Sequence, residues 1–181
     1  ALYFAAAAGV VLAAMAWLGE PIFAFAGHPP EVRRLEVVYF EILMWGAGLT
    51  LLHDVLGCFY SGRGLTAPIM LVNLLGMTLN VPLDYALIFG RWGLPELGVA
   101  GSALATVASH GVMLVAYGFL VFRKQHETAF GVRRERRFDP DLFRRLLRFG
   151  APAGAQIFVD LLAFTFFTLM VGRLGRDALA A

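Results

Sequence analysis

The stretch that decides the fold is LTAPIMLVNLLGMTLNVPLDYALIFG, residues 65–90. A membrane-spanning helix needs about 20 mostly apolar residues, and this run is longer than that. It contains one charged residue, Asp84. Because a carboxylate within hydrocarbon costs about 3 kcal/mol even on lenient insertion scales, an acid in such a helix indicates a functional site.

Asp84 has polar neighbours at helical spacing. Asn80 precedes it by four residues and Asn73 by eleven, and residues at these spacings share one face of a helix. Pro82 lies between Asn80 and Asp84, where it removes a backbone hydrogen bond and frees the carbonyl oxygen of Thr78. The combination is consistent with a cation or proton site and equally with a kink that serves packing alone.

The composition predicts an integral membrane protein that is all α-helical. The 181 residues are 59% hydrophobic and 15% charged, with a mean hydropathy of +0.71. Soluble domains usually carry about 25% charged residues. A single cysteine, Cys58, excludes an internal disulfide, and no cofactor is expected. The sequence lacks an initiator Met and ends within a pattern, so we expect a fragment of a longer protein.

Five stretches are long and apolar enough to cross a bilayer, which predicts a polytopic helical bundle. They lie at about 1–26, 39–61, 65–90, 98–122 and 149–172. The loop that follows the fourth stretch is rich in arginine, so the positive-inside rule places it in the cytoplasm of a protein in the plasma membrane. We interpret its arginines as topology and lipid headgroup contacts rather than as a nucleic-acid site.

Local signals add detail to these spans. Asp139-Pro140-Asp141, followed by FRRLLRF, predicts a capped amphipathic helix that leads into the fifth span. Pro152 lies at a position suited to opening that span. A face of small residues in the fourth span predicts close helix packing. Its members are Gly98, Gly101, Ser102 and Ala105.

Other polar residues interrupt the spans. Asp160 is a second acid within an apolar run, and it either forms a site or pairs with an amide or arginine of another helix. His53-Asp54 suggests an ion pair near the inner face, and we expect a packing role for His110. The sequence shows no Ser–His–Asp arrangement and no Gly-rich phosphate loop, so we do not expect an enzyme.

Three segments together resemble the MATE (multidrug and toxic compound extrusion) transporters. NVPLDYALIFGRWGLPELGVAGSALATV (80–107) is similar to helices five and six of that family, and SGRGLTAPIMLVN (61–73) to the turn before helix five. FGAPAGAQIFVDLLAFTFFTLMVGRLGRDALAA (149–181) resembles the start of helix seven. The resemblance implies helices three to seven of a twelve-helix, two-lobe fold. Residues 1–122 would belong to the first lobe, 123–148 to the cytoplasmic loop, and 149–181 to the second lobe.

The resemblance also implies a function, which is the export of cationic drugs and toxins in exchange for H⁺ or Na⁺. Asn80 and Asp84 match a polar pair of the cation-coupling region, and Thr106 matches a threonine of the same pocket. These three residues would bind Na⁺ if that is the coupling ion. Asp160 matches an acidic position on helix seven that is most often Glu. The acid of helix one lies outside this chain, so other helices of the same polypeptide are expected partners.

Two other functions are open at this point. A lipid-linked oligosaccharide flippase of the same superfamily would need cationic residues for pyrophosphate, but the span interiors carry acids and neither Lys nor Arg. A membrane enzyme of lipid metabolism would need several acids or histidines that hold a metal near the interface. His53-Asp54 is the one hint of such a site.

Overall fold

The computed structural model describes residues 1–26, 29–123 and 139–173, with side chains at 1–24, 29–123 and 139–167. Over these ranges the chain is helical and forms no β-strand. The helices are α1 Leu2–Met15, α2 Gly19–Ala26, α3 Pro30–Ser61, α4 Thr66–Phe89, α5 Val99–Val121 and α6 Pro140–Arg173. Five segments of the described residues are long and apolar enough to cross a membrane. The prediction of an all-helical, polytopic membrane protein is confirmed.

The helix of the second span begins earlier than residue 39. Pro30 occupies the first turn of α3 and Pro29 precedes it with extended backbone angles (φ −53°, ψ 145°). A proline fits this position because the first amides of a helix have no partner within the helix. Hydropathy located only the apolar part of the 32-residue helix α3, since its first turns are polar and exposed.

The first span is interrupted, which the sequence interpretation did not anticipate. A 3₁₀ turn, Ala16–Leu18, joins α1 to α2, and Ala16 is buried there. Pro21 lies in the first turn of α2 and has no amide hydrogen to donate to the preceding turn. The missing hydrogen bond explains why the α-helical hydrogen-bond pattern is replaced by a 3₁₀ turn just before α2.

The predicted cap of the last helix is confirmed. The backbone amides of Asp141 and Leu142 donate to Asp139 Oδ1 at 2.9 and 3.1 Å. The helix then continues without a break through Pro152, so the prediction that Pro152 opens a helix was wrong. The hydrogen bonds of the cap satisfy the first amides, and the amphipathic segment and the fifth span form one helix, α6.

The chain divides into two compact units, Ala1–Glu135 and Arg136–Ala181. In the first unit, α1 packs on α3, α3 packs on α5, and α5 packs on α4. The α5 helix therefore lies between α3 and α4. Its inward side belongs to a buried apolar cluster that also includes residues of both neighbours. The members of this cluster are Leu56, Tyr60, Val72, Met113, Tyr117 and Val121.

Glycines set the register between α4 and α5. Gly76 of α4 lies against the Met113 side chain, and Gly101 of α5 lies against the Leu87 backbone of α4. Position 76 of α4 therefore lies opposite position 113 of α5, and position 87 lies opposite position 101. Residue numbers rise along α4 as they fall along α5, so the two helices are antiparallel. Gly101 and Ala105 are buried, which confirms close packing along the predicted face of small residues.

Candidate cation site on α4

Asn80 and Asp84 lie one turn apart on α4, and both side chains are half-buried. The Asp84 Oδ1 atom is buried and has no hydrogen-bond partner. A buried carboxylate oxygen without a donor is costly, because the group has lost its water without a replacement. Asp84 is also the only Asp, Glu, Lys or Arg in α4 and α5, so no cation of these two helices neutralises it.

Thr106 of α5 lies level with this pair. The register fixed by Gly76 and Gly101 places residue 106 opposite Pro82, which is between Asn80 and Asp84. The Thr106 hydroxyl donates to the Ser102 carbonyl oxygen of its own helix at 3.1 Å. That bond uses the hydrogen and leaves oxygen lone pairs of the hydroxyl as acceptors. The structure thus brings the two α4 residues and the predicted threonine to one level of the bundle.

Ser109 is a polar residue at the same site that sequence reasoning missed. The same register places it opposite Asn80. Its side chain is 3% exposed, and its hydroxyl oxygen has no hydrogen-bond partner. A serine in a run of small residues looks like packing, so only the burial and the lack of a partner identify it as a possible oxygen donor.

The other two predicted site residues are Asn73 and Asp160. Asn73 is on the same side of α4, about two turns below Asn80, and its side chain is exposed, so it is not part of the level defined by Asn80, Asp84 and Thr106. Asp160 is exposed on α6, in the second compact unit.

The oxygen atoms of this group are suited to binding a hard cation or a proton. The group offers a carboxylate, an amide and hydroxyl oxygens, which are the ligands that Na⁺ and similar ions prefer. Nowhere in residues 1–26, 29–123 and 139–173 do three His, Cys, Asp or Glu come together as a metal centre would require.

The pair at His53 and Asp54 is also present. The Nδ1 atom of His53 lies 3.3 Å from Oδ1 of Asp54, so the two predicted partners are in contact and form an ion pair when His53 is protonated. His110 packs against His53, as a packing role predicts, and it also has a polar partner, because its Nδ1 lies 2.7 Å from the Thr50 hydroxyl. These contacts belong to the α3–α5 interface and not to the group around Asp84.

The sequence as a whole matches known proteins. The family model described as MatE matches residues 1–86. A probable multidrug resistance protein NorM of Rhizobium meliloti (strain 1021) is 36% identical over 177 residues, which cover 96% of this chain and 37% of that protein. This chain belongs to the MATE family. The members of this family are membrane transporters and not enzymes.

Two further relatives agree with the MATE assignment. The multidrug resistance protein MdtK of Cronobacter sakazakii is 32% identical over 160 residues, or 87% of this chain and 35% of that protein. A probable multidrug resistance protein NorM of Shewanella oneidensis is 27% identical over 183 residues, or 96% and 40%. The chain spans less than half the length of these relatives. The family match includes Asn73, Asn80 and Asp84, whereas Thr106 and Asp160 lie outside it.

Proposed function

We propose that this chain is part of a secondary active multidrug exporter of the plasma membrane, driven by the entry of H⁺ or Na⁺. The observation that carries the proposal is the buried, unpartnered Oδ1 of Asp84, the one charged side chain of α4 and α5. Such an oxygen is stabilised when a proton or a cation occupies it. The relatives' printed names, multidrug resistance proteins, support drug-like substrates.

Coupling follows because the ion and the drug compete for the Asp84 carboxylate. A proton on Asp84, or Na⁺ held by Asp84, Asn80 and Thr106, neutralises the carboxylate. A cationic drug needs the same negative charge, so the coupling ion and the drug exclude each other. If the two bind different conformations of the lobe, exchanging one for the other shifts the transporter between inward- and outward-facing states.

The orientation and the second acid complete the proposal. The arginine-rich segment 123–148 lies in the cytoplasm, by the positive-inside rule. Asp84 is five residues from the end of α4 at Phe89, which then lies near the outer face. Asp160 supplies the corresponding acid of the second lobe, as the family resemblance implies.

The test is transport by the full-length protein in proteoliposomes. A fluorescent organic cation is loaded and its efflux is measured under an imposed proton gradient or sodium gradient. Asp84→Asn should reduce gradient-driven efflux by at least about 100-fold, because it removes the charge that both ions share. Asn80→Ala and Thr106→Val should weaken coupling to the ion that they help to hold. Glu96→Gln, an exposed acid in the α4–α5 loop, is the matched control. Intact efflux and intact ion dependence in Asp84→Asn would show that the proposal is wrong.

A further inference from the structure

Two histidine rings meet in the interface between α3 and α5. The ring centroids of His53 and His110 are 4.9 Å apart, and the planes are inclined at 61°. His53 is 6% exposed, and His110 is the central residue of the 23-residue helix α5. A buried histidine ring packed against a half-buried one in a membrane bundle is unusual, because each ring loses solvation when it is charged.

Each ring has a different polar partner. The Nδ1 atom of His53 lies 3.3 Å from Oδ1 of Asp54, whose side chain is 62% exposed. The Nδ1 atom of His110 lies 2.7 Å from the Thr50 hydroxyl oxygen. The Nε2 atom of His53 is buried and has no hydrogen-bond partner. One nitrogen of the pair is therefore left without a partner in the interior.

The tautomer of His53 follows from its neighbour. An ionised carboxylate only accepts hydrogen bonds, so the hydrogen of neutral His53 belongs on Nδ1, where it points to Asp54. The Nε2 atom then carries a free lone pair. When a proton adds to this lone pair, the ring becomes an imidazolium that pairs with the Asp54 carboxylate. The Thr50 hydroxyl can either donate to His110 or accept from it, so it tolerates both tautomers of that ring.

We propose that His53 Nε2 is a proton-binding site and that the His53–His110 pair holds one proton at a time. Two positive rings with centroids 4.9 Å apart repel each other, so charging His53 keeps His110 neutral. The site is separate from Asp84, because it lies between α3 and α5 while Asp84 belongs to the α4 side of α5. Its occupancy changes the charge of the α3–α5 interface and thereby makes the packing of these helices depend on pH.

Other ionisable groups of the surrounding helices enter the same titration. The Tyr117 ring of α5 lies nearly parallel to His53, with centroids 6.4 Å apart and an angle of 20°. The remaining ionisable side chains belong to α3 itself and to the helices packed on α3 and α5. They are Glu31, Arg33, Arg34, Glu36, Tyr39, Glu41, Cys58 and Tyr60 of α3, Asp84 and Tyr85 of α4, Tyr3 of α1, and Glu20 of α2. Among the acids, Asp54 is in contact with the His53 ring, at 3.3 Å.

The test is a histidine titration of the full-length protein in nanodiscs. Protein with ¹⁵N-labelled histidine is studied by NMR, and His53→Gln and His110→Gln assign the signals. We expect the neutral His53 ring to carry its hydrogen on Nδ1 and the added proton to appear on Nε2, with His110 neutral whenever His53 is charged. Asp54→Asn should weaken proton binding at His53, because the carboxylate that pairs with the imidazolium is lost. Asp141→Asn, an exposed acid on α6, is the matched control and should leave proton binding at His53 unchanged.

A second measurement separates proton binding from folding. His53→Phe keeps a buried ring but cannot take a proton. We expect the thermal unfolding temperature of the wild type to change as pH falls through the His53 midpoint, and His53→Phe to lack that change. The proposal is overturned if both rings titrate together, if Asp54→Asn leaves the His53 midpoint in place, or if His53→Phe keeps the wild-type pH dependence.

Discussion

A Cβ atom at position 101 would lie 2.5 Å from the carbonyl oxygen of Leu87, so Gly101 of α5 touches the backbone of α4. The same Leu87 oxygen accepts the backbone amide of Leu97 at 2.9 Å, which ties the α4–α5 loop to the end of α4. This contact fixes how far α5 is shifted along α4. The position of Thr106 along α4, between Asn80 and Asp84, therefore depends on Gly101, which has no side chain that could bind a ligand.

We predict that Gly101→Ala destabilises the bundle. The added methyl group meets backbone atoms that cannot move aside, and overpacking of this kind costs about 1–3 kcal/mol. Gly118→Ala is the matched control on the same helix, since no heavy atom lies within 4 Å of its Cβ position. Thermal unfolding of the full-length protein in detergent should show a lower transition temperature for Gly101→Ala and an unchanged or higher one for Gly118→Ala. Equal transition temperatures for the two variants would contradict the close contact.

Gly76→Ala should cost less than Gly101→Ala, although its Cβ also meets a neighbour. That neighbour is the Met113 side chain, and a methionine can change rotamer to make room. In a Met113→Ala background the cost of Gly76→Ala should largely disappear, whereas the cost of Gly101→Ala should stay the same. A double-mutant cycle on unfolding temperatures measures this difference. Additive effects of Gly76→Ala and Met113→Ala would show that the two side chains do not compete for space.

The sequence predicts the spans well, because hydropathy and length depend on the bilayer rather than on tertiary contacts. Hydropathy places their ends less well. The start of α3 at Pro30 and the unbroken helix through Pro152 depend on backbone hydrogen bonds that hydropathy does not detect. Asp84 and Asn80 could be chosen from helical spacing alone. The level of Thr106 could not, since it depends on the register between two helices.

Burial without a hydrogen-bond partner identifies Ser109, which sequence reasoning missed. It also distinguishes His53, which the sequence indicated only as a member of an ion pair with Asp54. A sequence shows which atoms are polar, but it does not show which of them lose water and find no replacement. Spacing detects a polar stripe on one helix, as for Asn80 and Asp84, and it misses a polar contact between two helices, as for His53 and His110.

We predict that Asp139→Ala loosens the first turn of α6. The Asp139 carboxylate accepts the amides of Asp141 and Leu142, and losing such a cap costs about 1 kcal/mol. Hydrogen–deuterium exchange should become about fivefold faster at these two amides, provided that they exchange by local opening. Asp139→Asn keeps an acceptor oxygen and should exchange at nearly the wild-type rate. Slow exchange in Asp139→Ala would mean that the cap does not hold this turn.

Asp84→Asn and Asp84→Leu should keep or raise the stability of the protein while they abolish ion-driven efflux. The Asp84 Oδ1 atom is buried without a hydrogen-bond partner, which destabilises the folded protein. Replacing the carboxylate removes that destabilisation. The unfolding temperature and the efflux of a fluorescent cation are measured on the same preparations, with Glu96→Gln as the exposed control. A marked loss of stability in both Asp84 variants would instead assign the residue a structural role.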